Sequence, residues 1–421
     1  MDINKLLAGF DCTCGKRHSC EIECVYIEEN AIQHLSNICT DYQNILLVAD
    51  ENTYGVAGEA TATALKGKSI RKIIFTGSRI LIPDEKAIAS VQAELSGIEL
   101  IIGIGSGVLQ DLCKYVSFYN KVPYMIVATA PSMDGYASNG AAMITEGMKV
   151  TYPAGLPLAI IADTTVIKNA PIDMIRSGYG DIIGKFSALN DWKLSNVIND
   201  EYFCEYIYNL TFEQIERTIK VADKIMQRDE ESIKRLMEAL IIIGIMMSFA
   251  MSSRPASGSE HHLSHFFEIT GIVDGTDYLP HGTDVAYSTF VTAELREKIL
   301  SSEFPDKIYR ESAEEYEKAI KTVYKDCAKG CMDLQNKVGN YKKNRIDIYL
   351  NKINEIKEIL SEMPSSSYIK DLLSDAGFDL NYFYDFYGEE KIKNAVRYAK
   401  ELKDRYTVLW LYYDLFGLWR L

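Results

Sequence analysis

Residues 100–114, with the sequence LIIGIGSGVLQDLCK, join a short apolar run to a helix-like stretch through three closely spaced glycines. The apolar run predicts a buried strand over residues 100–104, and the stretch from Val108 onward predicts the start of a helix. Glycines at such a turn let the backbone approach a pyrophosphate, whose charge is met by amide N–H groups at the helix N-terminus. The spacing is not the pattern G-x-G-x-x-G, so a tight turn without a ligand is the alternative interpretation.

The same pattern of short apolar runs extends to both sides of this stretch. Runs that predict strands occupy residues 44–49, 72–76, 100–104, 124–128 and 159–162. Helix-like stretches, such as residues 85–96, separate them. Strands that are apolar throughout and alternate with helices indicate a parallel sheet covered on both faces, so we predict a Rossmann-like α/β fold here.

Beyond residue 165 the sequence becomes helical in pattern. Long periodic stretches occupy residues 200–227, 230–251, 312–336, 344–359 and 389–403, with almost no strand signal. We therefore predict two domains, a Rossmann-like one over residues 1–163 and an all-α one over residues 164–421. Because α/β proteins bind ligands beside the carboxyl ends of parallel strands and at domain junctions, we expect the active site in the interdomain cleft.

Composition and charge limit the partners of this 421-residue chain. A net charge of −14 lacks the basic footprint that nucleic acids and anionic membranes require, so neither is expected as a partner. The N-terminal sequence has neither the basic start nor the apolar core of a signal peptide, which predicts a cytoplasmic location. The apolar run at residues 239–251 is shorter than the ~20 residues of a membrane span and predicts a buried helix. That helix can also serve a subunit interface, and we expect a homo-oligomer, a dimer or larger.

Cysteines are concentrated near the N-terminus. Four of the nine, Cys12, Cys14, Cys20 and Cys24, lie close to His18. Cysteine and histidine are zinc ligands, but the spacing C-x-C-x5-C-x3-C fits no standard zinc finger or ribbon. The same stretch predicts a β-hairpin that turns at residues 14–16. We favour the hairpin over a zinc site.

Polar side chains follow two further strands of the predicted sheet. Residues 129–138, with the sequence TAPSMDGYAS, carry hydroxyls and a carboxylate where a simple turn needs only glycine and proline. Asp50 follows the strand at residues 44–49, where an acid can accept hydrogen bonds from a ribose diol. A plain helix or turn cap explains Asp50 equally well. Three strand ends on one sheet edge with such chemistry favour a nucleotide site.

Half of the six histidines lie in residues 257–268, with the sequence SGSEHHLSHFFE. On a helix, His261 and His265 share one face about one turn apart, while His262 points roughly 100° away. Two imidazoles stacked in this way can address one metal ion or one substrate. A solvated helix face is the alternative, and the apolar residues of the segment argue against it.

Two other segments supply further candidate ligands. Asp181 lies in the glycine-rich run SGYGDIIGK at residues 177–185, and His281 lies in a Pro-His-Gly sequence. Taken alone, Asp181 predicts a helix cap and His281 a loop histidine. One carboxylate and two histidines from three segments are, however, a common set for a catalytic divalent metal that keeps positions open for substrate oxygen.

These stretches together resemble the sn-glycerol-1-phosphate dehydrogenase family, within the superfamily of glycerol dehydrogenase, dehydroquinate synthase and the iron-alcohol dehydrogenases. The resemblance is carried by residues 105–107, 129–135, 180–181, 253–261 with His265, and 280–282. Residues 253–261, with the sequence SRPASGSEH, are its most specific part. The resemblance extends over almost the whole chain. It implies an N-terminal domain that binds a dinucleotide and a helical C-terminal domain that binds metal and substrate.

The resemblance also implies roles for individual residues. The metal, zinc or nickel, would be held by Asp181, His261 and His281. The catalytic and substrate-binding residues would be Asp134, Asp181 and His265. The NAD or NADP cofactor would be held by Asp50, Gly105, Gly107, Val108, Leu109, Gln110, Asp111, Thr129, Ala130, Pro131, Ser132 and Ser138.

The chain departs from the family pattern at two places. Residues 108–110 read Val-Leu-Gln where the family more often has Thr and Asn, which puts side-chain contacts to the pyrophosphate in doubt and leaves the backbone contacts intact. Residues 283–284 read Thr-Asp directly after His281 and Gly282, which is unusual for the family and can alter the surroundings of the metal.

The implied activity is reversible NAD(P)H-linked reduction of a small phosphorylated triose, dihydroxyacetone phosphate, to sn-glycerol 1-phosphate. The metal would act as a Lewis acid on the C2 oxygen, and His265 or a water would deliver the proton. Lys185 and Arg254 are candidates to bind the phosphate, and Asp50 would disfavour the 2′-phosphate of NADP. The alternatives are a glycerol dehydrogenase acting on an unphosphorylated polyol, a lyase like dehydroquinate synthase, and a metal- and nucleotide-binding regulator without turnover.

Overall fold

The computed structural model describes residues 3–77, 81–145 and 148–417. Its strands are β1 (Phe10–Asp11), β2 (Arg17–His18), β3 (Cys24–Glu28), β4 (Asn44–Asp50), β5 (Ser69–Phe75), β6 (Leu100–Gly105), β7 (Tyr124–Ala128), β8 (Gly140–Thr145), β9 (Met148–Pro153) and β10 (Ala159–Asp163). Its first helices are α1 (Ile3–Leu7), α2 (Leu35–Ile38), α3 (Glu51–Thr53), α4 (Glu59–Ala64), α5 (Glu85–Ala93), α6 (Gly107–Asn120), α7 (Thr164–Ile167), α8 (Ile172–Asn199), α9 (Glu205–Ile219), α10 (Ala222–Met226) and α11 (Glu230–Ala250).

The remaining helices are α12 (Ser259–Asp274), α13 (His281–Leu300), α14 (Ala313–Tyr324), α15 (Ala328–Val338), α16 (Ile346–Asn351), α17 (Ile353–Ser361), α18 (Ser366–Asp375), α19 (Leu380–Tyr387), α20 (Glu389–Tyr398) and α21 (Val408–Phe416). Short 3-10 segments lie at Ala31–His34, Gly135–Ala137, Lys325–Cys327, Asn340–Lys342 and Ala399–Leu402, with a π-helical turn at Tyr54–Gly58. Several long predicted helices are divided in the structure. Residues 312–336, for example, break where Lys325 adopts a φ of 44°, a positive value that residues of a right-handed α-helix do not have.

The central element is a six-stranded sheet in the order β3-β10-β7-β6-β4-β5, with every pair parallel. The five predicted strands are confirmed, and β3 is an edge strand that was not predicted. From β4 the chain adds β5 on one side and then β6 on the other, so the order reverses between β4 and β6. Such a switch point leaves a crevice at the carboxyl ends of the strands, where ligands bind in α/β folds.

Both faces of the sheet are covered, which explains why its strands are apolar throughout. In β4, Ile45 and Leu47 belong to one buried cluster with residues of α2 and α4, including Leu35 and Leu65, which follows α4. The alternate residue Leu46 belongs to a second cluster, with residues of α5 and α6 such as Val91, Leu112 and Val116. Each strand residue is therefore buried on one side or the other.

Two antiparallel hairpins complete the strands in the described residues. In the first, β1 pairs with β2 through Phe10 opposite His18, which confirms the predicted hairpin. Its turn requires Gly15, whose φ of +83° is a left-handed conformation that glycine adopts without strain. The second, β8 with β9, was not predicted.

After β10 the described residues contain helices only, as predicted for the C-terminal part. Contacts divide the chain into two compact units, one of Met1–Ile182 with Glu213–Ser253 and one of Ile183–Phe212 with Arg254–Leu421. These contact-based units do not follow the predicted domain boundary after residue 163. The boundary itself stays a prediction. Helix α11 is buried along its apolar half, as predicted, and no helix in the described ranges is long and apolar enough to cross a bilayer.

Candidate active site

The glycine turn after β6 is shaped by close packing against α6. A Cβ added to Gly105 would lie 2.4 Å from Leu109 Cδ1, so no larger residue fits there. The N–H of Gln110 bonds the carbonyl of Ser106, while the Ser106 side chain makes no capping hydrogen bond. The helix itself supplies no acceptor for the N–H groups of its first residues, Gly107 to Leu109, which suits them to an anionic ligand.

The side chains that follow this turn have internal partners. The Gln110 amide is buried and donates to the Tyr136 carbonyl and the Tyr124 hydroxyl, each at 3.1 Å. One Asp111 oxygen accepts the N–H of Ala142 at 3.1 Å, and the other lies 3.4 Å from Lys114 Nζ. Gln110 and Asp111 therefore make hydrogen bonds within the protein, and Leu109 packs against Gly105.

Lys114 connects the 129–138 loop to the β8–β9 hairpin. Its side chain is fully buried, and Nζ donates to the carbonyls of Gly135 and Gly140, both at 2.9 Å, and to Ser138 Oγ at 3.2 Å. Burial lowers the pKa of Lys114, and the Asp111 carboxylate opposes this shift. Ser138, predicted to contact the cofactor, is thus part of the network that fixes this loop.

Asp50 caps the helix that follows β4. Its Oδ1 accepts the N–H of Thr53 at 2.8 Å, and the Thr53 hydroxyl accepts the N–H of Asp50 at 3.0 Å. The cap predicted as one alternative is therefore present. No hydrogen bond to Oδ2 of Asp50 is found in the described part of the chain, and the residue is partly exposed.

The ends of β4, β6 and β7 lie side by side. Ala49 is opposite Ile104, and Gly105 is opposite Ala128. The N–H of Thr129 bonds the Gly105 carbonyl at 3.1 Å, which fixes the start of the 129–138 loop. The structure thus brings Asp50, the glycine turn and this loop to one edge of the sheet, at its switch point.

Helix α8 carries glycines at the positions where other segments approach it. A Cβ on Gly178 would lie 1.8 Å from the Pro131 carbonyl oxygen, so only glycine lets the loop pass. One turn further on, Asp181 Oδ2 accepts the N–H of Asp134 at 2.9 Å. Asp181 is fully buried and lies inside α8, so the helix-cap interpretation is wrong.

The next glycine of α8, Gly184, admits the histidine-bearing helices. A Cβ there would lie 2.4 Å from Val285 of α13 and 3.4 Å from Glu260 of α12. His281 is the first residue of α13 rather than a loop residue, and α12 begins just before His261. The glycines of residues 177–185 are therefore contact points for neighbouring segments.

The three predicted metal ligands come together. One ligand atom from each of Asp181, His261 and His281 lies within 4.8 Å of the other two. The His261 and His281 ring centroids are 5.1 Å apart, and His265 lies 6.3 Å from the first and 5.8 Å from the second. Nitrogen and oxygen donors at this separation can hold one divalent ion and leave coordination positions open.

Glu260, for which no role was predicted from sequence, orients His261. Its Oε1 lies 2.7 Å from His261 Nδ1 and accepts the N–H of Gly258 at 2.8 Å. Burial raises the pKa of Glu260 to about 7, and the nearby Asp191 carboxylate adds to the rise. With Nδ1 facing Glu260, Nε2 of His261 is the nitrogen that can bind a metal, an arrangement typical of metal-ligating histidines.

Positive charges surround His261. Burial lowers the pKa of His261 well below its ordinary value, and the charges of Lys185 and Lys403 lower it further. Lys185 is fully buried on α8, and Lys403 Nζ donates to Ser257 Oγ at 3.1 Å. A neutral imidazole is the form that binds metal, and the lysines suit the surroundings to an anionic substrate.

Arg254, the second candidate to bind the phosphate, is paired with Glu201. Its guanidinium pairs with both oxygens of Glu201 and donates to the Tyr406 carbonyl at 2.8 Å. The side chain is only 4% exposed. This bidentate pair leaves Lys185 as the better of the two predicted phosphate ligands.

His262 is in no group of potential metal ligands found among the described residues. It is fully buried, and neither ring nitrogen has a hydrogen-bond partner in the described residues. Its place outside the group of Asp181, His261 and His281 agrees with the roughly 100° offset predicted from helical geometry.

Comparison with known proteins gives consistent matches. Residues 26–171 match the family model described as iron-containing alcohol dehydrogenase. The glycerol-1-phosphate dehydrogenase [NAD(P)+] of Halalkalibacterium halodurans is 34% identical over 293 residues, which cover 68% of this chain and 73% of that protein. The enzyme of the same name from Bacillus licheniformis is 27% identical over 409 residues, 94% of this chain and 90% of that protein.

The fold is also that of a solved structure. The iron-containing alcohol dehydrogenase of Thermococcus thioreducens superposes with a TM-score of 0.55 at 15% identity, covering 85% of this chain and 99% of that one. At this identity the likeness concerns the fold, a parallel sheet with helices followed by a largely helical part.

Proposed function

The chain belongs to the glycerol-1-phosphate dehydrogenase family, and from this membership we propose that it reduces dihydroxyacetone phosphate reversibly to sn-glycerol 1-phosphate with NAD(P)H. The observation that carries the proposal is the grouping of Asp181, His261 and His281, with Glu260 behind His261. A carboxylate and two imidazoles are donors that suit a catalytic divalent metal.

We assign Asp181, His261 and His281 as the metal ligands. Imidazole and carboxylate donors accept both zinc and nickel, the two metals we propose. When bound, the metal supplies Lewis acidity toward the C2 oxygen of the substrate, and the nicotinamide supplies the hydride. Glu260 holds the His261 ring in the orientation that directs Nε2 to the site, which fixes the ligand before substrate arrives.

His265 and Asp134 act on the substrate in this scheme. The His265 ring lies beside both ligand histidines and is less buried than His261 or His262, so it can exchange protons with water. An imidazole titrates near neutral pH and can deliver a proton to the oxygen at C2. Asp134 is tied to Asp181 through its own N–H, which keeps its carboxylate close to the reacting group.

The strand ends of β4, β6 and β7 hold the cofactor. The N–H groups of Gly107 to Leu109 and the backbone of residues 129–132 bind the pyrophosphate and the nicotinamide side, while the side chains of Gln110, Asp111 and Ser138 support them. Oδ2 of Asp50 accepts from the ribose diol, which favours NAD over NADP because a 2′-phosphate would meet a carboxylate.

Lys185 binds the substrate phosphate. It is fully buried one turn after Asp181, and its charge acts on both His261 and Glu260. A cation here makes the site prefer a phosphorylated triose over free glycerol, the substrate of the alternative glycerol dehydrogenase.

The decisive experiment is NADH oxidation with dihydroxyacetone phosphate by protein that has been stripped with a chelator and then reloaded with zinc or nickel. We expect no turnover after stripping and restored turnover with either metal. Faster oxidation of free glycerol would favour a glycerol dehydrogenase, and turnover without net NADH change would favour a lyase. Full metal occupancy with no dehydrogenase activity on any triose would favour a regulator. We further place the enzyme in the cytoplasm as a homo-oligomer, testable by fractionation and light scattering.

A further inference from the structure

The N-terminal hairpin carries a second group of metal-type ligands that the proposed function does not use. One ligand atom from each of Cys12, Cys14, His18 and Cys204 lies within 4.8 Å of the other three. Cys14 Sγ lies 3.5 Å from His18 Nε2. A zinc ion with sulfur at ~2.3 Å and nitrogen at ~2.0 Å in tetrahedral arrangement places these two atoms about 3.5 Å apart.

We propose that Cys12, Cys14, His18 and Cys204 bind a structural zinc ion in a Cys3His site. A thiol–imidazole hydrogen bond between Cys14 and His18 would explain one contact, but it gives no reason for two more sulfurs to converge on the same point. Four protein ligands fill the coordination shell of zinc, so the site has no position for a substrate. On binding, three thiols lose their protons and the site carries a net charge of −1.

The His18 ring is fixed in the form that ligates a metal. Its Nδ1 lies 3.2 Å from the Phe249 carbonyl, which can only accept, so Nδ1 carries the proton. Nε2, which faces Cys14, is then the unprotonated nitrogen, the form that can bind a metal. The ring is fully buried and stacks on Phe249 at 5.2 Å, so both orientation and tautomer are set by neighbours, as in known metal sites.

The hairpin turn presents its two cysteines on a tight loop. The N–H of Cys12 bonds the Lys16 carbonyl at 2.9 Å, and the N–H of Gly15 bonds the Cys12 carbonyl at 3.0 Å. The left-handed Gly15 closes the turn. Because His18 contacts Phe249 near the end of α11, a zinc ion here would tie the hairpin to that helix.

Cys20 offers a matched control. It lies in the same N-terminal segment but is outside the ligand group. A cysteine there can be exchanged for serine with the same chemical change and without loss of a ligand.

The test is metal content measured by mass spectrometry on His261→Ala protein purified with zinc, in which the proposed catalytic site is disabled. We expect about one zinc per chain, its loss in the additional Cys204→Ser or Cys12→Ser variant, and its retention with Cys20→Ser. Absence of zinc from His261→Ala protein, or zinc retained without Cys204, would overturn the proposal.

Two measurements on the unaltered chain keep the proposal testable if a variant fails to fold. Cobalt-loaded protein should show thiolate-to-cobalt charge-transfer absorption, which Asp181, His261 and His281 cannot produce because they include no sulfur. Mercurial modification of the thiols should release zinc to a chromogenic chelator. A cobalt spectrum without thiolate bands, or a disulfide between two of the cysteines found by peptide mapping, would contradict the site.

Discussion

The two ligand groups of this chain differ in donor chemistry and in the number of donors that the protein supplies. The group of Asp181, His261 and His281 provides one oxygen and two nitrogens, whereas the group of Cys12, Cys14, His18 and Cys204 provides three sulfurs and one nitrogen. Three donors leave room for a substrate oxygen, and four donors close the shell. In our proposals, the number of protein ligands therefore separates the catalytic site from the structural one.

The histidines of the two groups are held differently as well. His261 faces a carboxylate, Glu260, while His18 donates to a backbone carbonyl, that of Phe249. A carboxylate partner raises the basicity of a ligand histidine and tunes the metal, whereas a carbonyl mainly fixes the ring. We expect substitutions around Asp181, His261 and His281 to change activity. Substitutions in the cysteine group should change stability.

The largest effect should come from His261→Ala. Losing a ligand removes the Lewis acid, which contributes several kcal/mol to the reaction, so kcat/KM for dihydroxyacetone phosphate should fall about a thousandfold. The metal content should fall by one equivalent while the zinc of the cysteine group stays. Retained activity and full metal content would contradict the assignment of His261 as a ligand of a catalytic metal.

Glu260→Gln should have the next largest effect. Gln keeps the size of the side chain and removes its charge, and loss of such a partner lowers metal affinity by about 10- to 100-fold. Titration of zinc into stripped protein should show this shift, with activity recovering at saturating zinc. An unchanged titration curve would mean that Glu260 only packs against His261.

Cys204→Ser should act on stability. If the lost zinc contributes about 2 kcal/mol, the melting temperature of a domain of 150–250 residues falls by roughly 4–8 °C. Differential scanning fluorimetry would detect this fall, with Cys20→Ser as the control that keeps its melting temperature. Equal melting temperatures for Cys204→Ser and Cys20→Ser would contradict a stabilising metal at the cysteine group.

His262→Leu should have the smallest effect and sets the baseline for a histidine of neither group. Burying two polar ring nitrogens without partners costs about 1–3 kcal/mol each, so an apolar side chain of similar size should leave the protein as stable or slightly more stable. Metal content should match the unaltered chain. A loss of metal would show that His262 serves one of the sites after all.

Much of the fold can be predicted because the central strands are buried on both faces. Strands β4, β6, β7 and β10 are continuous apolar runs and were predicted almost to their ends. β3 was missed because an edge strand alternates, with Val25 and Ile27 buried and their neighbours partly exposed. β8 was missed because its sequence, GAAMIT, is rich in small residues of low strand propensity.

The site was predictable where helical geometry fixes neighbours and unpredictable where contacts cross long stretches of sequence. The shared face of His261 and His265 follows from a spacing of one turn. The grouping of Cys204 with Cys12, Cys14 and His18 has no sequence signal, because these residues are far apart in the chain and come together only through the tertiary fold. The zinc alternative considered from sequence used Cys20 and Cys24, which the structure leaves outside the group. For Glu260, the only sequence signal of its contact with His261 was that the two residues are adjacent.

The buried Lys114 gives this protein a built-in reporter. Its amine is enclosed by the carbonyls of Gly135 and Gly140, so a reagent that acylates amines reaches it only when the 129–138 loop and the β8–β9 hairpin separate. Exposed Lys66 would react at once. The ratio of labelling at Lys114 and Lys66, followed over time, would therefore measure how often the 129–138 loop opens in solution.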